Sequence, residues 1–146
     1  MISNENVRRT PQPTDELRSR IMKANRGKDT APEIMLRKAL YSNGLTGYRL
    51  HLKKIPGTPD IVYPGKKIAI FVNGCFWHRC PFCKPELPKS NTDFWASKFR
   101  ANKKRDERKE SLLVEMGWNV LVIWECEIES DVLWCVDKIR KMVRSS

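Results

Sequence analysis

Three cysteines and one histidine lie within residues 73–83, directly after a largely apolar run at 67–72. Cys75, Cys80 and Cys83 have the spacing C-x4-C-x2-C. Thiolates this close together are typical ligands of structural zinc, which takes four ligands in a tetrahedron and keeps no open position. The alternative is three reduced cysteines without a metal. The pattern favours a zinc-bound loop with one further ligand from elsewhere in the chain.

The fourth zinc ligand is not determined by this spacing. Cys126 lies at the exit of a predicted strand, where a neighbouring strand could bring it to the loop. Cys135 lies among apolar residues of a predicted helix, so we expect it in the core. His78 and His51 are the other two candidates, although His78 is also suited to catalysis.

The chain is strongly basic, with a net charge of +11 from 28 Lys+Arg against 17 Asp+Glu. This surplus favours a polyanionic partner, most simply DNA or RNA, although it can also serve solubility alone.

The 146 residues of the chain suffice for one domain with a full core. The odd number of cysteines and the polar N-terminus argue against a secreted disulfide framework. No apolar run reaches the roughly 20 residues that span a membrane, so we expect a cytoplasmic protein, and from its size we expect a monomer.

Apolar periodicity and turn residues predict two helices, three strands, the cysteine loop, a long basic helix, a strand and a last helix. This order indicates an α/β fold, a single domain with a mixed central sheet flanked by helices. The fourth strand is long and β-rich enough to be central. Residues 1–29 are predicted to form a basic arm with a short helix, and 30–146 the main domain. The predicted helices cover 15–25, 30–42, 94–116 (capped by residues 91–93) and 130–143, and the predicted strands 48–52, 60–63, 67–72 and 118–125.

A carboxylate and a histidine lie where a nuclease could use them. Asp60 opens a predicted strand after a Gly-x-Pro turn and could hold a divalent cation against a scissile phosphate. A backbone carbonyl near Val72 or Asn73 on the next strand could reach the same ion. His78 lies just beyond and could activate the attacking water as general base. Asp60 alone is most simply a turn residue, and His78 is as often a zinc ligand, so the prediction rests on their combination.

The residues around Asp60 follow a known nuclease pattern only in part. Pro59-Asp60 before an apolar strand resembles the PD-(D/E)xK nuclease core, but the acidic residue and the lysine expected on the next strand are absent. A relative of that core must have replaced both. Glu33 is most simply the capping-box partner of Thr30, although it could also face the active site.

The chain resembles the very short patch repair (Vsr) endonucleases over about residues 17–128. The most specific piece is the string Gly74-Cys75-Phe76-Trp77-His78. The resemblance implies a restriction-endonuclease-like core and an enzyme that nicks duplex DNA 5′ of the thymine in T:G mismatches, which arise when 5-methylcytosine deaminates. The other matching pieces are Arg20-Ile21-Met22, Asp29-Thr30-Ala31-Pro32-Glu33, Pro56-Gly57-Thr58-Pro59-Asp60, Thr92-Asp93-Phe94-Trp95, Gly117-Trp118 and Trp124-Glu125-Cys126.

The resemblance also implies roles for individual residues of the predicted endonuclease domain. Asp60 becomes the magnesium ligand beside the Val72 carbonyl, His78 the general base, and Glu33 a supporting active-site residue. Three side chains would enter the base stack as wedges next to the mismatch, where unstacking is easier than in matched DNA. The implied wedges are Phe76, Trp77 and Met22, and the implied zinc ligands are Cys75, Cys80, Cys83 and Cys126.

Three positions differ from better-known members of the family. Val72-Asn73 stands where Thr-His is usual, and that histidine assists near the scissile phosphate. Asn73 can donate or accept a hydrogen bond there, but it cannot transfer a proton at neutral pH. Cys80 stands where histidine is common, and a cysteine serves equally well as a zinc ligand.

Two other functions fit part of the same sequence. One is a restriction-like or defence nickase that acts on matched DNA, and the other is a non-catalytic zinc-containing DNA-binding module. The pair Asp60 and His78 weighs against the module, because a protein that only binds needs neither. Whether other mismatch-repair proteins take part is left open.

Overall fold

The first described helix begins where the sequence predicts it. The structure, a computed structural model, describes residues 29–145, so the predicted helix at 15–25 and Met22 lie outside the described residues. Helix α1 spans Ala31–Ser42, and its N-terminus is capped by the Thr30 hydroxyl, which accepts the Glu33 backbone N–H at 3.4 Å. The helix ends at Asn43. Leu36 and Leu40 on its inner face are fully buried.

Four strands form one mixed sheet: β1 (Arg49–Leu50), β2 (Ile61–Tyr63), β3 (Ile68–Asn73) and β4 (Asn119–Trp124). They lie in the order β1-β2-β3-β4. The pairs β1–β2 and β2–β3 are antiparallel, whereas β3 and β4 are parallel. A short 3-10 turn, Pro64–Lys66, joins β2 to β3.

Four further helices follow the third strand. Helix α2 (Cys75–His78) and the long α3 (Thr92–Glu115) lie between the parallel strands β3 and β4, as a parallel connection requires. Helices α4 (Glu125–Ser130) and α5 (Val132–Ser145) complete the described chain.

The side chains of β3 alternate between two apolar clusters, one on each face of the sheet. Ile68 and Ile70 pack in a cluster with residues of α1, α4 and α5. Ala69 and Phe71 pack on the opposite face with Leu113 of α3. Helices therefore cover both faces, and α2, which follows the carboxyl end of β3, contacts α3.

The prediction that the fourth strand is central is wrong, because β4 lies at an edge of the described sheet. Its apolar sequence has a different cause. Val120 and Val122 contact the cluster below α3, and Leu121 and Ile123 contact the cluster on the other face. An uninterrupted apolar run indicates that both faces are covered, which also holds for an edge strand in a layered fold.

Other local differences concern short elements. Strand β1 has two residues rather than the five predicted at 48–52, and α4 is a separate helix that the sequence did not predict. Helix α3 begins at Thr92, and Asn91 adopts a left-handed conformation without the expected side-chain cap. Cys135 is fully buried in the core, as predicted.

The mixed α/β architecture and the single domain are confirmed for the described residues. The restriction-endonuclease-like core and the division between residues 1–29 and 30–146 stay predictions. Within residues 29–145, no helix is long and apolar enough to cross a bilayer.

Candidate active site and metal centre

Parallel pairing of β3 with β4 brings distant cysteines together. Asn73 pairs with Trp124, so the two strands end at the same edge of the sheet. Cys75 and Cys126 each follow two residues beyond these partners. The Cys126 N–H donates to the Cys75 sulfur at 3.3 Å. The short helix α2 then ends at Arg79, whose left-handed backbone turns the chain so that Cys80 also faces this edge.

The four thiols predicted as zinc ligands form one cluster, with all four sulfurs within 4.8 Å of one another. The Cys80 and Cys126 sulfurs are 3.7 Å apart. Four sulfurs bound tetrahedrally to zinc at about 2.3 Å would lie about 3.8 Å from each other. The cluster therefore has the size and the donor set of a four-thiolate zinc site, and His78, His51 and Cys135 are not part of it.

The protonation of the thiols is unequal within this cluster. Burial raises the pKa of Cys126 to about 11 and that of Cys75 further. The pKa of Cys80 is lowered although burial opposes its ionisation, because the backbone N–H groups of Cys83 and Phe82 donate to its sulfur. A dication would favour the deprotonated form of all four.

Asp60 lies directly before β2, with its carboxylate turned toward β3. Its Oδ2 accepts the Val72 backbone N–H at 2.8 Å, and its Oδ1 lies 3.9 Å from His51 Nε2. Burial raises the pKa of Asp60 to about 6, and the negative charge of Glu33 adds to this rise. The hydrogen bond from the Val72 N–H and the charges of His51 and Lys109 oppose it. A carboxylate with a strongly raised pKa that is faced by other titratable side chains is a candidate for a functional site.

Glu33 is brought to Asp60 through His51, which the sequence offered only as a possible zinc ligand. Glu33 is 1% exposed, and its Oε2 lies 2.8 Å from His51 Nε2 and 3.0 Å from Arg37 Nη1. The His51 contact lacks the alignment of a hydrogen bond. The Glu33 Oε1 accepts the Asp29 backbone N–H rather than that of Thr30, so the reciprocal capping-box bond is not made as predicted.

Asp29, Glu33 and His51 also offer donor atoms close enough to share a metal ion. Arg37, however, already binds both carboxylates, at 2.8 Å to Asp29 and 3.0 Å to Glu33. A second cation would have to compete with this guanidinium. The arrangement is better suited to holding His51 and Asp60 in place.

His78 has a carboxylate partner that sequence reasoning missed. Its Nδ1 lies 2.6 Å from Oδ2 of Asp106 on α3, and Lys109 Nζ lies 3.4 Å from the other oxygen of that carboxylate. Burial raises the pKa of Asp106, but the bond to His78 and the charges of His78 and Lys109 outweigh it and lower the pKa overall. An aspartate that accepts from Nδ1 directs Nε2 outward as a potential base. The spacing of 28 residues leaves no local sequence signal for this pair.

The two aromatic residues of α2 pack edge-on against α3. Phe76 lies 5.6 Å from Trp95 and 5.3 Å from Phe99 between ring centres, and Trp77 lies 5.9 Å from Trp95. Both rings are half-buried. The guanidinium of Arg79 stacks over Phe99 at 4.4 Å and donates to the backbone carbonyls of Phe76 and Pro85. Phe76 and Trp77 are thus held by aromatic contacts with α3 and remain partly exposed to solvent.

Asn73 and the cations of α3 complete the surroundings of the site. Asn73 is 6% exposed at the end of β3. The middle of α3 presents exposed cations to solvent on the side chains of Lys98, Arg100, Lys103, Lys104, Arg105 and Arg108.

Comparison with known proteins points to one family. The family described as "DNA mismatch endonuclease Vsr" matches residues 12–84, which include Glu33, Asp60 and three of the four cysteines. The type II nicking enzyme V.XorIIP of Xanthomonas oryzae pv. oryzae is 45% identical over 119 residues, 82% of this chain and 87% of that protein. The chain belongs to the Vsr family.

Other Vsr relatives carry two kinds of name. The DNA mismatch endonuclease Vsr of Escherichia coli is 40% identical over 111 residues, 76% of this chain and 70% of that protein. The type II nicking enzyme V.NmeAIP of Neisseria meningitidis is 39% identical over 131 residues, 90% of this chain and 92% of that protein. The predicted relationship is confirmed, and this protein is a Vsr-family endonuclease.

The raised pKa of Asp60 predicts a pH-dependent stability cost. The folded protein keeps this proton up to about pH 6, whereas the unfolded aspartate loses it near 3.8, so the stability falls as the pH rises between these values. Asp60→Asn removes the cost. Its advantage in the free energy of unfolding should grow by about 1 kcal/mol between about pH 5 and pH 7.5.

Urea unfolding without added magnesium measures this difference. The matched control is Asp137→Asn, an exposed aspartate of α5, which should show no such growth. An advantage of Asp60→Asn that is constant over this pH range would mean that Asp60 is not kept protonated by its surroundings.

Proposed function

We propose that this protein is a magnesium-dependent endonuclease that nicks duplex DNA 5′ of the thymine in a T:G mismatch. The observation that carries the proposal is the half-buried carboxylate of Asp60, bonded to Val72 and faced by His51 and Glu33. A metal-dependent phosphodiester hydrolase needs such a carboxylate. The mismatch is proposed because a relative is named a mismatch endonuclease.

Asp60 and the Val72 carbonyl would hold the magnesium ion. The N–H and the C=O of a strand residue point toward the same neighbouring strand. The 2.8 Å bond from the Val72 N–H to Asp60 therefore supports a carbonyl directed to the same side. Magnesium bound there would neutralise charge on the scissile phosphate. Glu33 and His51 would keep Asp60 in the orientation this requires.

His78 would accept the proton of the attacking water. Its bond to Asp106 orients the ring, and it stabilises the positive charge that the ring gains on taking the proton. Asn73 would contribute a hydrogen bond near the phosphate but no proton transfer. The proton of the water therefore passes to His78 without help from the position before the loop.

DNA would be held by charge and opened by the aromatic rings. The exposed cations of α3 are suited to phosphate contacts, which position a duplex without reading its sequence. Phe76 and Trp77, with their fixed base on Trp95 and Phe99, would insert beside the mismatch. Met22 is proposed as a wedge on sequence grounds alone. The cost of unstacking is a few kcal/mol per step and is lower at a mismatch, which favours mismatched DNA.

The second candidate is a nickase that acts on matched DNA. It is favoured by the names of two similar relatives, which are called type II nicking enzymes. The same site would serve both functions, since they differ only in the DNA that is opened. The cytoplasmic location and the monomeric state stay predictions.

A nicking assay separates these functions. With magnesium, the protein should cut a duplex with one T:G mismatch on the thymine strand and leave the matched duplex intact. Asp60→Ala should lower the rate by at least about 10³-fold, because it removes the metal ligand. The control is Asp137→Ala in α5, which should keep the rate.

Each alternative has its own outcome in this assay. Equal cutting of matched and mismatched DNA would favour the nickase. Salt-sensitive binding without cutting would favour the binding module, and magnesium-dependent cutting by Asp60→Ala would remove Asp60 from the mechanism.

The thiol cluster should contain zinc, which we propose as its metal. Metal analysis of the purified protein should find about one zinc per chain. Cys126→Ser should lose zinc and unfold at lower temperature, because the site joins α2 to α4. Cys135→Ala serves as control, since that thiol lies in the core and should leave the zinc content unchanged. Full zinc content in Cys126→Ser would place the fourth ligand elsewhere.

The wedge role predicts a loss of discrimination. Trp77→Ala should lower the ratio of cutting rates between T:G and matched DNA by about 10-fold or more, since stacking of about 1–3 kcal/mol is lost. Binding to matched DNA should change less. Trp134→Ala is the control, because this ring is exposed and lies on α5, outside α2 and α3. Equal loss on both duplexes, together with lower stability, would assign Trp77 to the core instead.

A further inference from the structure

Strand β3 lacks the lysine that a PD-(D/E)xK nuclease has beside its carboxylate. Its six residues, Ile68–Asn73, include no ionisable side chain. In this protein α3 packs over the face of the sheet that carries Phe71. A cation from α3 could therefore occupy the space that a lysine of the strand would otherwise fill.

Lys109 of α3 lies over this face of the sheet. Its ammonium is 4.6 Å from the centre of the Phe71 ring. Its side-chain carbons lie where a side chain at Gly57 would stand: a Cβ built there would be 2.8 Å from Lys109 Cδ, and Gly57 has φ +82°. Any larger residue at position 57 would displace the lysine. Gly57 belongs to the turn that leads to Asp60, so this turn and α3 hold the lysine from both sides.

The ammonium is also linked electrostatically to both carboxylates of the proposed site. It lies 3.4 Å from Asp106 Oδ1, and Asp106 in turn binds His78. Its charge helps to lower the pKa of Asp106, and it opposes the rise that burial causes in the pKa of Asp60. The Lys109 side chain is 22% exposed, so it is partly open to solvent.

We propose that Lys109 binds the scissile phosphate beside Asp60 and takes the place of the strand lysine from a helix. The inference rests on the proposed hydrolysis of DNA. The ammonium would donate to a non-bridging phosphate oxygen and stabilise the negative charge that increases in the transition state. The three groups that the reaction needs would then converge from different elements: Asp60 at β2, His78 on α2 and Lys109 on α3.

A purely structural role for Lys109 predicts something different. In that case its methylene groups would fill the space over Gly57 and Phe71, and its charge would only balance Asp106. Lys109→Met keeps most of the packing and removes the charge. A structural role in packing predicts normal cutting by this variant.

The test combines single-turnover cutting with a binding cycle. Lys109→Met should cut about 10²–10³-fold more slowly at saturating DNA, as expected for loss of one donor to the transition state, and Lys109→Arg should keep more of the rate. Lys141→Met on α5 removes the same charge from an exposed position as the control. Zinc content and the unfolding midpoint show that each variant is folded.

The binding cycle shows whether the phosphate is the partner. Without added divalent metal, a neutral methylphosphonate at the scissile position should weaken binding of the wild type but not weaken Lys109→Met further. Normal cutting by Lys109→Met would overturn the inference. An equal methylphosphonate penalty in both proteins would also overturn it, and would assign Lys109 to support of the Asp106–His78 pair.

Failure of the proposed function gives a different result. If the wild type cuts matched and mismatched DNA equally, the mismatch specificity is wrong, and the Lys109 comparison is made on the matched duplex. If the wild type cuts neither duplex, the proposed hydrolysis is wrong, and the binding cycle alone decides whether Lys109 contacts that phosphate.

Discussion

The parallel pairing of β3 with β4 is the constraint on which the candidate site depends. It ends both strands at one edge, and it places Cys75 and Cys126 opposite each other although 51 positions separate them in the chain. The thiol cluster then fixes α2, and α2 carries His78 and the two aromatic rings. A change in this register by one residue would turn the side chains of β4 to the opposite face and separate the cysteines.

Helix α3 supports the candidate site from the side of the sheet that carries Phe71. The same helix supports the α2 rings through Trp95 and Phe99, orients His78 through Asp106, and brings Lys109 over Phe71. These contacts recur at intervals of three, four or seven residues, so they lie along one side of the helix. The exposed cations lie on its remaining surface. One helix can therefore bind a polyanion on its outer side and support hydrolysis on its inner side.

The sequence predicts the parts of this site that depend on local pattern. Cysteine spacing indicated the metal loop, and apolar runs bounded by turn residues indicated the strands beside Asp60. Cysteine spacing and apolar runs could not identify Asp106 and Lys109 as site residues. Within a basic helix, an aspartate and a lysine three positions apart resemble an ordinary surface ion pair. The sequence offered His51 only as a possible zinc ligand, for a similar reason. Its partners, Glu33 and Asp60, are not adjacent to it in sequence and come close to it only in the folded chain. The edge position of β4 was missed because an apolar strand reports covered faces and not the number of neighbouring strands.

The two carboxylates of the site differ in how their charge is compensated. Glu33 is compensated by Arg37 and lies close to His51, whereas Asp60, within residues 29–145, has one backbone donor and only more distant cations. Burial therefore leaves Asp60 incompletely compensated in the free protein, and this costs stability. A magnesium ion bound by Asp60 would complete this compensation, and the ion together with Lys109 would balance the charge of the bound phosphate. The free energy lost in folding around Asp60 is then recovered when the metal binds, and the bound metal in turn favours binding of the anionic substrate.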